Sequence, residues 1–273
     1  MKGSNGGLVL PGFDGQGEAE KPALRWWHVR WKRPLRVLAI LFGGCLAVVV
    51  AGALVIYQLA PWLQARDLNN SEPRINQAPT LLPDSTLALL DGTRLEFQGL
   101  VFQTPWKEIF RKSEFENISS ASFMNGASLM FWDHSEELGA AKWMRSDARL
   151  ARALGVEAFQ SNYALIAAAM NTTADQVKWW KLPSQNARAR SLLFVKLSAM
   201  HDLGPVYAVN FGEMRGFQEG DPAVAPYKVD LTLFDPHDRQ YEIVVSSSEG
   251  HGPVVTQAQI NAMIASMRPI PPK

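Results

Sequence analysis

The chain has a single cysteine among its 273 residues, Cys45, and it lies inside an apolar run. No disulfide can therefore staple the rest of the chain. Disulfides are common in eukaryotic extracellular domains of this size, so their absence favours a bacterial envelope for any exported part. Charge of one sign is also missing: 27 Lys and Arg stand against 26 Asp and Glu. Bulk attraction to nucleic acid or another polyanion is excluded on that ground.

Catalytic signatures are absent too. No H-E-x-x-H or G-x-S-x-G string occurs. Gly212, Gly216 and Gly220 are not followed by the Lys-Ser/Thr that a phosphate-cradling loop requires. Asp133-His134-Ser135 cannot form a triad, because three consecutive side chains do not converge on one point. The histidines beyond the apolar run are His134, His201, His237 and His251, and none is paired with cysteine. Asp235-Pro236-His237-Asp238 reads as a turn between strands rather than a metal site. No catalytic residue, metal ligand or cofactor is assigned. A hydrolase with a dispersed site would still require one or more of those histidines to meet carboxylates in the folded chain.

What the chain does have is an uninterrupted apolar run, Val37–Tyr57, with no charged residue until Arg66. As a helix it spans roughly 31 Å, the thickness of a bilayer core. A lone span in lipid must satisfy its backbone internally, which predicts a helix. Arg25, Arg30, Lys32, Arg33 and Arg36 crowd its N-terminal side, with Trp26, Trp27 and Trp31 among them. The positive-inside rule then places the N-terminus in the cytoplasm and the C-terminal part outside it, in the inner membrane of a bacterium. A cleaved signal peptide fits less well, since the apolar core is long and no small-x-small site follows it. Gly43, Ala47 and Ala51 recur at i, i+4, i+8, a spacing that lets two copies of the helix approach closely.

The expected organisation is a disordered cytoplasmic tail with a basic juxtamembrane segment over 1–36, a span over 37–60, an extended polar linker over 61–84, and a folded domain over 85–273. Residues 1–36 carry seven Lys and Arg against three acids, and the remainder carries twenty against twenty-three.

Within the domain, Asp91-Gly92 predicts a hairpin between Leu87–Leu90 and Thr93–Phe97, and Leu100–Gln103 follows as a strand. Asn125-Gly126 predicts a second hairpin between 119–124 and 127–132. A helix is expected from Ser135-Glu136-Glu137 to Leu154, with a break allowed along it and Gly155 past its end. Ser161 caps another through Met170, and Thr173 with Gln176 suggests a short third. Residues 184–201 read as an amphipathic helix whose Lys196 snorkels, with a strand as the alternative. Strands return at 205–211, 228–234 and 241–246; Val229, Leu231 and Leu233 share one face of the second. Thr256 caps a last helix ended by the Pro-rich tail. Strands, helices, strands and a helix in that order predict an α+β domain with a mainly antiparallel sheet packed with helices.

The GLVFQTPW strand at 99–106, the late hairpin and the closing TQAQINAMIASMRPI helix resemble the PsbP-like α/β/α sandwich family. The likeness spans residues 87–270, although the middle helices are longer than that family's pattern. It implies a binding or assembly role and carries no catalytic residues over.

Residues 212–228 then read as a 17-residue loop. Met214, Arg215, Phe217 and Tyr227 on it are types enriched in binding hot spots, and they are the expected partner contacts. Of Trp179 and Trp180, one ring is expected in the core and the other exposed. The functional expectation is a membrane-anchored, non-catalytic domain that binds a protein partner or small ligand, with the bilayer and a second copy as further partners and no role for nucleic acid. The alternatives are an anchored hydrolase and a scaffold acting through its span.

Overall fold

A computed structural model describes residues 24–97, 99–134, 140–201, 203–248 and 252–270. The chain divides into two units, one up to Val55 and one from Ile56 onward.

The first unit holds helix α1 (Leu24–Ser71) as far as Val55, so residues 24–36, expected within a disordered tail, are helical. Among the described residues this is the one helix long and apolar enough to cross a membrane. Its side chains from Val37 to Tyr57 are exposed, including Gly43, Ala47 and Ala51.

The second unit begins on the same helix. The expected extended linker is corrected here: residues 61–71 stay helical, and a 3-10 turn follows at Pro73–Asn76. The reason is an apolar stripe at Trp62, Ala65 and Leu68, spaced to lie along one helix face. Ala65 and Ile75 are buried with Ala174, Val177 and Leu193.

The domain is α+β, with a mainly antiparallel sheet packed with helices. Its strands are β1 (Thr80–Leu81), β2 (Arg94–Phe97), β3 (Leu100–Gln103), β4 (Ile109–Phe115), β5 (Ile118–Phe123), β6 (Ala127–His134), β7 (Val206–Phe211), β8 (Met214–Glu219), β9 (Lys228–Phe234), β10 (Gln240–Ser247) and β11 (Arg268–Pro269). Eight form one sheet in the order β1-β7-β8-β9-β10-β6-β5-β4, and β11-β3-β2 form a small second sheet. Only the short β1 pairs in parallel.

Period-2 alternation gives the large sheet two unlike faces. One face is apolar: Leu129, Phe131, Val229, Leu231, Leu233, Tyr241, Ile243 and Val245 are all buried. The small sheet and helix α6 (Gln257–Ser266) cover it with Leu95, Phe97, Phe102, Ile260 and Met263. The other face is covered only over β7–β9. Helices α2 (Ala140–Ser146), α3 (Ala148–Leu154), α4 (Asn162–Met170) and α5 (Pro183–Ala199) lie there, burying Val206, Phe217 and Phe234.

Several local signals hold. Gly155, at φ +82°, ends α3, whose start is capped by Asp147, a cap not anticipated from the sequence. Ser161 caps α4, and Thr256 with Gln259 forms a capping box on α6. Asn125-Gly126 joins β5 to β6, with Gly126 at φ +87°. Others fail. The first hairpin turns at Gly99 (φ +84°), not at Asp91-Gly92, and Leu87–Leu90 forms no strand. The short third helix is a 3-10 turn at Ala174–Gln176, which Thr173 does not cap through its side chain. Ser135-Glu136-Glu137 lies outside the described residues.

Lys196 on α5 does not snorkel. It is fully buried, and its ammonium donates to the carbonyls of Gln77 (2.6 Å), Met170 (2.9 Å) and Thr172 (3.0 Å). Two of those acceptors sit at the C-terminal end of α4, where orphan carbonyls and the helix dipole favour a cation. Burial lowers its pKa to about 8.

Candidate functional site

The expected 212–228 loop is mostly strand. Gly212, at φ +61°, and Glu213 make a two-residue turn, and β8 runs from Met214 through the centre of the sheet. Met214 is fully buried in the core. Phe217 is buried on the opposite face, stacked on Tyr163 of α4 at 6.2 Å between ring centroids. Arg215 lies over that same Tyr163 ring at 4.0 Å. Tyr227 closes the shortened 220–227 connection in a left-handed conformation, φ +57°. The expected contacts thus divide between core and surface and form no common patch. Trp179 and Trp180 are both exposed, so neither ring lies in the core as expected of one of them.

The Asp235–Asp238 segment is the turn anticipated for it. Asp235 accepts from the amides of His237 and Arg239 at 2.8 and 2.9 Å. Asp238 reaches across to α4, accepting from the Ser161 hydroxyl and the Asn162 and Tyr163 amides. Asp133 and His134 point to opposite faces of β6, which removes any triad.

A different set of residues does converge, on the sheet face that α2–α5 cover only in part. Asp230 of β9 and Glu242 of β10 both point there, because Val229 and Ile243 point the other way. His201, just past α5, reaches over them: its Nδ1 lies 3.1 Å from Asp230 Oδ2 and its Nε2 lies 3.7 Å from Glu242 Oε1. His134 at the end of β6 brings Nε2 to 3.0 Å from Glu242 Oε2. Glu219 of β8 holds the approach in place by accepting from the backbone amides of His201 and Leu203, each at 2.8 Å.

Electrostatics set the two carboxylates apart. Asp230 is only 3 % exposed at its side chain, and neither oxygen receives a well-directed hydrogen bond. The short His201 contact is off the line such a bond needs. Burial first, and then the neighbouring charge of Glu242, push Asp230 well above the usual carboxylate range; His201 opposes them. Burial works to raise Glu242 as well. The His134 hydrogen bond and the charges of His201, His134 and Lys228 together outweigh it and hold Glu242 below its ordinary value. One ligand atom from each of His201, Asp230 and Glu242 lies within 4.8 Å of the others. An imidazole with two carboxylates is a donor set for a borderline divalent metal. Comparison of the chain with models of protein families, with curated proteins and with solved structures gives no match.

The cluster borders an open stretch of sheet. Cross-strand rows run Glu242–Trp132–Ile118–Phe115 and Val244–Met130–Ser120–Ser113. Phe115, Ile118 and Met130 are exposed in these rows, and Ser128 and Ser246 share a hydroxyl bond of 2.7 Å beside them. Among the described residues no helix covers this part of the face. The groove lined by Leu68, Leu150, Leu193 and Phe194, about 460 Å³, lies elsewhere in the domain.

Reading the sequence set metal binding aside and missed this cluster. The alternation in Lys228–Phe234 does show that Asp230 faces away from Val229, Leu231 and Leu233. No sequence signal brings β10 and the end of α5 onto the same spot.

Proposed function

We propose that the chain is a single-pass protein of a bacterial inner membrane. Residues 1–36 lie in the cytoplasm, and the folded domain lies outside and binds a protein partner or small ligand without catalysis. The basic residues between Arg25 and Arg36 support that orientation. The observation that carries the binding reading is the partly uncovered sheet face, where Phe115, Ile118 and Met130 are exposed beside a histidine–carboxylate cluster. Contiguous apolar side chains in water rimmed by polar ones mark interaction surfaces. The resemblance to the PsbP-like family over residues 87–270 points the same way. Gly43, Ala47 and Ala51 support self-association of the span.

Two measurements test this. In a Cys45→Ser background, a membrane-impermeant maleimide should label Ser248→Cys but not Ser4→Cys in intact spheroplasts; the reverse pattern overturns the orientation. Photo-cross-linkers at Ile118 and Met130 in native membranes should capture one discrete species that a cross-linker at Val156, also exposed, does not. Equal capture at all three sites would sink the surface assignment. One observation favours the second reading, an anchored hydrolase: His134 and His201 do meet Glu242 and Asp230 in the fold.

A further inference from the structure

Asp230 is a cost with no visible return inside the protein. A buried carboxylate is normally satisfied by donors or neutralised by a paired charge. Here both oxygens lack a directed donor, and Glu242 and Glu219 add negative charge nearby. The basic groups that face it are His201 across the cluster and Lys228 on its own strand. Glu219 is already committed to two backbone amides, and His134 is committed to Glu242, so neither is available to satisfy Asp230.

We propose that His201, Asp230 and Glu242 bind one divalent first-row transition-metal ion, with His134 as the residue that orients Glu242. Three features carry this. The buried, donorless carboxylate of Asp230 points into the cluster. The separations are in range: ligand atoms about 2.0–2.1 Å from a tetrahedral zinc ion stand roughly 3.3–3.4 Å from one another, one donor atom from each of the three residues lies within 4.8 Å of the others, and His201 Nδ1, the one ring nitrogen that would serve the ion, is 3.1 Å from Asp230 Oδ2. The site is also reachable, since the His201 side chain is 44 % exposed while Asp230 forms the floor. Two carboxylates and a neutral imidazole supply the charge a divalent ion needs. The imidazole selects a transition metal over calcium or magnesium, which favour all-oxygen shells. Glu219 is a positioning residue: by accepting from the backbone amides of His201 and Leu203 it fixes the segment that carries the imidazole.

The competing account is that an imidazolium proton, rather than a metal, bridges the two carboxylates. The test uses the full chain in detergent micelles, stripped with a chelator, then titrated with Zn²⁺ by calorimetry in the presence of Mg²⁺ and Ca²⁺. One equivalent should bind. Asp230→Asn and His201→Ala should each weaken binding at least tenfold, and His237→Ala, outside the cluster, should leave it unchanged. Asp230→Asn keeps the shape and removes the buried charge, so the metal-free variant should melt no lower than the wild type; loss of binding is then not loss of fold. Zinc bound equally by Asp230→Asn, no stoichiometric zinc in the wild type, or displacement by Mg²⁺ or Ca²⁺ would each overturn the assignment, the second in favour of the bridging proton.

Discussion

Replacing Lys196 with Met keeps the apolar stem and deletes the ammonium. The carbonyls of Gln77, Met170 and Thr172 lose their common donor. A buried acceptor left unsatisfied costs about 1–3 kcal/mol, and relief from desolvating the charge offsets part of the total. The expected net loss at pH 7 is about 2–4 kcal/mol, measured by urea unfolding of the full chain in detergent through the fluorescence of its nine tryptophans. The pH dependence isolates the cause. Below about pH 8 the folded and unfolded chains both hold the proton, and the burial penalty is present in full. Between about 8 and 10.5 the unfolded chain keeps a proton that the folded chain has released. Stability of the wild type therefore rises with pH across that window, by no more than about 3 kcal/mol. Lys196→Met lacks this rise, so the gap between wild type and variant widens. A gap that stays constant from pH 8 to 10.5 would refute the claim that burial lowers the Lys196 pKa.

Met214→Ala and Phe217→Ala should each destabilise by about 2–5 kcal/mol, because both open cavities in packed cores; shifts under 1 kcal/mol in denaturant unfolding would restore them to the surface. Asp238→Ala removes a three-donor cap on α4 and should cost about 1–2 kcal/mol, seen as a lower melting temperature. Trp179→Ala and Trp180→Ala should change stability by less than about 0.5 kcal/mol each, since both rings are exposed. Charging the open face with Met130→Glu should leave the melting temperature nearly unchanged while abolishing capture of the species cross-linked at Ile118.

Local rules carried the sequence reading as far as they apply. Ser161, Gly155, Thr256 and Asn125-Gly126 punctuate the chain through their own backbone needs, and each is where it was expected. Alternation in β9 alone separates Val229, Leu231 and Leu233 from Asp230. β4 went unread because its residues are mostly exposed, so it has no buried face to betray a period of two. β8 was mistaken for loop because Gly216 and Gly220 look like breaks, whereas a strand buried on both faces tolerates a glycine where a neighbouring backbone approaches closely. The helical 61–71 segment hid behind a polar composition whose Trp62–Ala65–Leu68 stripe is only three residues long. The candidate site was illegible for a stronger reason. It needs the β9–β10 register, the β6–β10 register and the end of α5 at once, and no stretch of sequence encodes their meeting.

The back-to-back arrangement on β9 and β10 limits how this domain can change over time. Val229, Leu231, Tyr241 and Ile243 hold the core, and the residues between them, Asp230 and Glu242, hold the cluster. A one-residue insertion within either strand would exchange the two sets, sending a carboxylate into the apolar layer and an aliphatic side chain onto the open face. Substitutions can adjust the cluster one position at a time, but length changes there remove core and cluster together. Variation in length is therefore confined to the connections, such as 220–227, that leave this register untouched.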